Sequence, residues 1–336
     1  MNDPVKQRWD SLTKPPGSLG RLEEIVAAIA RQQGRPRPSL RRKSLYIFCG
    51  DHGVTAEGVS AYPSEVTRQM VLNFVAGGAA INVLCRRIGI RTVIVDAGVK
   101  GEPVPGVVVR KIAEGTRNLM HGPAMTRAET EQALEIGREL ASEPDDIRAV
   151  GEMGIGNTTP ASALLCAFAG VSPREAVGPG TGLSAEGVAR KAEVIEAALA
   201  LHQPNPADPL GVLARLGGYE IAMMAGFLLG SARRRVPVMM DGFISCSAAL
   251  VATRLEPTVS EYLLYSHRSA EPAHARMLAE LSAAPLLDLN MRLGEGTGAA
   301  LAISLAEHAL ALYDEMATFE EAAVSTKRID ASGGLG

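Results

Sequence analysis

Nine of the 35 glycines in the chain fall in three short stretches, GEMGIG at 151–156, GPGTG at 178–182 and GEGTG at 294–298. Closely spaced glycines leave backbone N–H groups free to converge on an anion, with no Cβ in the way. GEMGIG also opens an apolar segment with Thr158 or Thr159 near its start. A helix N-terminus favours an anion by about 0.3–1 kcal/mol. One such loop fits a ligand-free strand-to-helix turn equally well; two at consecutive strand ends favour the ligand. Glu295 stands between Gly294 and Gly296, after the apolar Met291 and Leu293 and before an Ala-rich run. A carboxylate so framed can meet a ligand unobstructed, and apolar neighbours would raise its pKa towards that of a useful base. The plainer reading is an exposed acid stabilising a helix N-terminus. Glu152, inside GEMGIG, is a second acid in the same setting. Together they point to anionic-ligand chemistry with a carboxylate base and no metal cage.

Other chemistries lack their signatures. There is no G-x-x-x-x-G-K-[ST], no G-x-G-x-x-G followed by an acid about 20 residues on, no G-x-S-x-G and no H-E-x-x-H. Among the histidines only His52 sits on a strand-end loop, where a histidine bonded to backbone is at least as good a reading as a catalytic one.

The elements that position these residues follow from periodicity. Leu45–Cys49, Thr92–Asp96 and Val236–Asp241 are short apolar runs ending in polar or acidic turns, which predicts buried strands. Ala149-Val150 leads into the first glycine loop. Helical spacing covers Val66–Cys85, Thr126–Leu140, Thr158–Ala169, Glu186–Leu201, Gly217–Leu229, Pro272–Leu281 and Ala299–Phe319, with Thr126 and Glu129 at capping-box spacing. An N-terminal helical stretch from Asp3 to Gln33 is interrupted by Lys14-Pro15-Pro16-Gly17. Alternating strands and helices predict an α/β fold, with a mostly parallel sheet covered on both faces and ligands beyond the C-terminal strand ends.

Composition sets the outer limits. At 336 residues the expectation is about two domains of roughly 150 residues. A net charge of -3 argues against nucleic acid as a partner. Rings make up only 4% of residues, so Ala, Leu, Val, Ile and Met must fill the core. The cysteines (Cys49, Cys85, Cys166, Cys246) form no C-x-x-C pair and read as free thiols of a reducing cytoplasm. The N-terminus lacks an apolar signal core, and the longest apolar run, near Ile221–Gly230, is too short for a membrane span.

At these residues the sequence resembles a known family. The blocks TKPPGSLGRLE (13–23), GDHGV (50–54), EVTRQMVLNFVAGGAAINVL (65–84), GEMGIGNTTPASAL (151–164), DGFISCSAAL (241–250), SHRSAE (266–271) and MRLGEGTGAALA (291–302) are similar to those of nicotinate-nucleotide–dimethylbenzimidazole phosphoribosyltransferases. The resemblance implies phosphoribosyl transfer from nicotinate mononucleotide to 5,6-dimethylbenzimidazole in cobalamin assembly, by a homodimer with no cofactor. It also implies a Rossmann-like large domain at 36–299, a small helical domain from 1–35 with 300–330, and a loose tail at 331–336. It makes Glu295 the proton acceptor and Glu152 a supporting acid. Phosphate would be held by Gly154, Gly156, Asn157, Gly180, Thr181 and Lys191, and the aromatic base by Tyr62 and Leu293. Some relatives carry Ser at the position of Tyr62 and Gln at that of Met70, so the acceptor here can differ in substitution. The glycine loops alone would serve a non-catalytic nucleotide or anion sensor equally well.

Overall fold

The structure, a computed structural model, describes residues 3–180 and 182–325. Thr181 and the tail at 331–336 therefore lie outside the described residues. Six strands form one sheet: β1 (Lys43–Gly50), β2 (Arg91–Gly98), β3 (Val108–Val109), β4 (Ile147–Met153), β5 (Val238–Met240) and β6 (Leu263–Tyr265). Their order is β3-β2-β1-β4-β5-β6 and every pairing is parallel. All of β1 after Lys43 is buried, as a strand covered on both faces must be. The chain leaves β1 towards β2 and returns on its other side at β4. The crevice between the ends of β1 and β4 is thus the switch point where doubly wound sheets bind ligands.

Among the described residues the helices are α1 (Pro4–Ser11), α2 (Arg21–Gln33), α3 (Glu65–Ala76), α4 (Ala80–Ile88), α5 (Arg127–Leu140), α6 (Thr158–Ala169), α7 (Pro173–Ala176), α8 (Ala185–His202), α9 (Pro209–Leu216), α10 (Tyr219–Arg233), α11 (Phe243–Leu255), α12 (His274–Glu280) and α13 (Thr297–Glu315). The capping box of α5 forms as its spacing predicts, with Thr126 Oγ1 accepting from Glu129 N at 3.1 Å and the Glu129 carboxylate accepting from Thr126 N at 2.6 Å. The helix expected over 66–85 is two helices, because Gly77 ends α3 with φ +77°. By length and composition the whole stretch Glu65–Ile88 could cross a bilayer, contrary to the expectation that no run is long enough, but the chain breaks at that glycine into α3 and α4. The helix expected from Gly217 is α10, and Gly217 and Gly218 separate it from α9, which periodicity did not show. α11 escaped the periodicity because it is apolar on every side and presents no polar stripe to count.

Two compact units result, one of residues up to Ser39 and from Ser304 on, the other Leu40–Ile303. In the smaller unit the Trp9 and Tyr313 rings meet edge-on at 5.0 Å, Lys14 Nζ lies 5.2 Å over Trp9, and Tyr313 Oη donates to Pro36 O at 2.9 Å. In the larger unit Tyr46, Phe48 and Phe227 form a ring cluster with centroids 4.5–6.3 Å apart. Aliphatic side chains, alanines and methionines fill most of the rest of that core. α5 and α10 pack backbone against backbone: a Cβ added at Gly226 would lie 2.0 Å from Leu134 O, and one at Gly137 2.0 Å from Met223 O.

Candidate active site

β4 ends at the switch point, with Glu152 paired to Phe48 of β1. Directly beyond it, a Cβ at Gly154 would lie 2.3 Å from Gly50 O, so only glycine lets the two strand ends close up. Gly156 then turns with φ +87° into α6. Thr67 on α3 ties this turn down by accepting from Ile155 N at 3.0 Å. Glu152 is buried, and Asn157 Nδ2 donates to its Oε2 at 2.5 Å. Burial pushes its pKa up to about 8; the Asn157 bond opposes this, and Asp241, Glu220 and Glu295 add to it.

The second carboxyl comes from the loop before α13. Glu295 has φ +63°, in the left-handed region that a side chain rarely occupies. The glycines around it explain how the loop fits: a Cβ at Gly151 would lie 2.3 Å from Glu295 O, and one at Gly294 2.3 Å from Glu152 Oε1. The end of β4 and the GEG loop therefore stack directly, bringing Glu152 and Glu295 into one neighbourhood. Glu295 is 6% exposed. Its Oε2 is buried without a hydrogen-bond partner among the described residues. Burial raises its pKa, Ile81 opposes the rise and Asp241 adds to it. The expected cause, an apolar Leu293, is corrected here: Leu293 is 57% exposed, and the desolvation arises in the packing of the loop on β4.

On the opposite wall, Lys191 projects from α8 and is 1% exposed. Its Nζ donates to Thr158 Oγ1 at 3.0 Å and to Gly178 O at 3.4 Å, joining the start of α6 to the 178–180 loop. Burial pulls its pKa down to about 8, with Glu271 opposing. Arg292 Nη1 donates to Gly180 O at 2.8 Å and braces the same loop.

These walls enclose a cavity of about 660 Å³. Tyr62, Glu152, Gly154, Gly156, Asn157, Gly180, Lys191, Leu293 and Glu295, all singled out from the sequence, line it together. Tyr62 and Leu293 do so with more than half their surface exposed. Sequence reasoning assigned no role to His267, Ser269, Glu271, Arg292 or the Phe243–Ser245 turn, which line it as well. The signal was present in the blocks DGFISCSAAL, SHRSAE and MRLGEG, but nothing in their composition says which side chain faces inward. His52 is not among the lining residues. It is 1% exposed and pairs with the Glu220 carboxylate at 2.7 Å, so its partner is an acid rather than the backbone.

A parallel sheet with glycine turns, a buried lysine and two buried carboxyls around one cavity at its switch point defines a Rossmann-like α/β enzyme. The profile of a phosphoribosyltransferase family matches residues 1–324. The nicotinate-nucleotide–dimethylbenzimidazole phosphoribosyltransferase of Geobacter sulfurreducens is 53% identical over 327 residues, covering 96% of this chain and 93% of that protein. The protein of the same name from Pseudomonas fluorescens is 52% identical over 333 residues, covering 97% and 95%. The crystal structure of CobT from Thermus thermophilus superposes with a TM-score of 0.92 at 46% identity, covering 96% of this chain and 98% of that one. The chain belongs to the nicotinate-nucleotide–dimethylbenzimidazole phosphoribosyltransferase family.

Proposed function

We propose that this chain transfers the 5-phosphoribosyl group of nicotinate mononucleotide to 5,6-dimethylbenzimidazole, giving α-ribazole 5′-phosphate and nicotinate in nucleotide-loop assembly of cobalamin. The observation that carries the chemistry is the carboxyl of Glu295, with one oxygen without a partner among the described residues, in the same cavity as the lysine-backed glycine turns. In this reading the backbone at Gly154, Gly156, Asn157 and Gly180, with Thr181 and Lys191, takes the 5′-phosphate. Tyr62 and Leu293 flank the flat acceptor, and Met70 lines the same cavity.

The reaction needs little else. The bond from C1′ to the pyridinium nitrogen breaks with its electron pair going to that nitrogen, so nicotinate leaves with a neutral ring and needs no acid. The lone-pair nitrogen of the benzimidazole attacks C1′ from the opposite face, converting a β- to an α-nucleotide. The cationic product sheds the proton on its other nitrogen to Glu295, whose burial raises its proton affinity above that of an ordinary carboxylate. Glu152, with its pKa near 8, supports as a hydrogen-bonding acid beside it. Holding both substrates in register supplies much of the remaining acceleration.

Replacing Glu295 with Gln keeps the shape and removes the base. We expect kcat to fall roughly 10²–10⁴-fold, the usual worth of a positioned general base, while nicotinate mononucleotide still binds. Near-parental turnover at saturation would sink the role, and no nicotinate release by the parent protein would turn the reading towards a non-catalytic nucleotide sensor. Competition among benzimidazoles, adenine and phenols fixes the acceptor. We further infer a homodimer, supported by the family resemblance and by exposed Leu72 and Val75 on α3 and Val83 on α4. A cytoplasmic site fits the four free thiols.

A further inference from the structure

The loop that carries Glu295 is tied to a residue that does not line the cavity. Asp241 lies just past β5 and is 2% exposed. Both carboxylate oxygens are used: Oδ2 accepts from Gly296 N at 3.0 Å, and Oδ1 from Gly298 N at 2.8 Å and Ala299 N at 3.2 Å. A helix is ordinarily capped by the side chain of its own N-cap residue. Here the first turn of α13 is held by an acid more than fifty positions upstream, and the hold begins at the peptide immediately after Glu295.

The acid is itself fixed. Ser266 Oγ donates to Asp241 O at 3.2 Å, which leaves that hydroxyl oxygen to accept from His267 Nδ1 at 3.0 Å. The protonated Nδ1 then lies 3.8 Å from Asp241 Oδ1. Gly298 makes this possible, because a Cβ there would lie 2.0 Å from His267 Nδ1. Glu295 is thus clamped on two sides, its carbonyl against Gly151 of β4 and its following peptide on Asp241.

We infer that Asp241, oriented by Ser266 and His267, is the positioning residue for Glu295: it fixes the left-handed backbone at 295 so that the carboxyl is aimed into the cavity before substrate arrives. The inference rests on the reading of Glu295 as the proton acceptor. A residue that only stabilised α13 would show the same hydrogen bonds, so the test must separate stability from aim.

The test is a double-mutant cycle with Asp241→Asn and Glu295→Gln, following kcat and both Michaelis constants alongside thermal unfolding. Asp241→Asn keeps volume and one carbonyl oxygen but can turn an NH2 group towards Gly296 N–H. With Glu295 present, kcat should fall about 100-fold, the scale of an ångström misplacement, while both Michaelis constants stay within about threefold. In the Glu295→Gln background the same change should cost less than about twofold, since no base remains to be aimed. Equal losses in the two backgrounds, or no loss in either, overturn the inference. If Asp241→Asn does not fold, Ser266→Ala is read in the same cycle by the same criterion. If the parent protein releases no nicotinate, the functional reading falls by itself. The positioning claim is then decided by the crystal structure of Asp241→Asn: a Glu295 backbone that leaves the left-handed region supports it, and an unmoved loop overturns it.

Discussion

Lys191 and Glu152 face one cavity with proton affinities displaced in opposite directions by the same cause, loss of water around a charge. For Lys191 this has a direct consequence. With a pKa near 8 the free lysine is mostly charged at pH 7 and mostly neutral at pH 9, whereas a bound phosphate holds it protonated. Binding of nicotinate mononucleotide at pH 8.5 should therefore take up part of a proton, seen by calorimetry in buffers of different ionisation enthalpy. The Michaelis constant for that substrate should climb above pH 8 while that for the acceptor does not. Lys191→Ala should abolish the uptake; its persistence would assign the proton to another group. Of these groups Glu295 was legible because glycines frame it, and Lys191 only through the family resemblance. Asp241 was not, because all three of its N–H partners lie more than fifty positions along the chain.

At the level of elements, the strands were readable and some of the helix boundaries were not. β1, β2 and β5 show as apolar runs, β4 shows only as Ala149-Val150 because Arg148 and Glu152 interrupt it, and β3 and β6, two and three residues long, escaped notice. The break at Gly77 falls inside an apolar stretch, where periodicity continues across a change of direction, whereas the start of α10 was read near Gly217 and α9 before it was not assigned. The seam between α5 and α10 was invisible for another reason: Gly137 and Gly226 matter for what they let approach, and that is known only once the helices are paired. Gly226→Ala should cost roughly 1–3 kcal/mol or more through overpacking, measured by denaturant unfolding. Its effect should also reach the site. α10 begins beside Gly218 and Glu220, Glu220 holds His52, and His52 Nε2 stands 3.2 Å from where a Cβ at Gly154 would lie. A variant with parental stability would show that the helices can part without strain.

For the whole molecule, the exposed apolar side chains of α3 and α4 bear on assembly. Leu72, Val75 and Val83 are each more than 40% exposed, and Leu72 and Val75 are one helical turn apart. If this face meets a second copy, Leu72→Glu should shift sedimentation towards the monomer; an unchanged dimer would place the interface elsewhere. The backbone at Glu295 has a different kind of consequence. A left-handed glutamate is held about 1–2 kcal/mol above what glycine would require there, and it keeps a carboxyl out of water besides. Glu295→Gly should therefore melt a few degrees higher than the parent while losing turnover, and a lower melting temperature would mean that the contacts of the Glu295 side chain outweigh the relief. With Glu295 as the proposed proton acceptor, endurance on heating and turnover are set against each other at this one position, and selection for heat resistance alone would discard it.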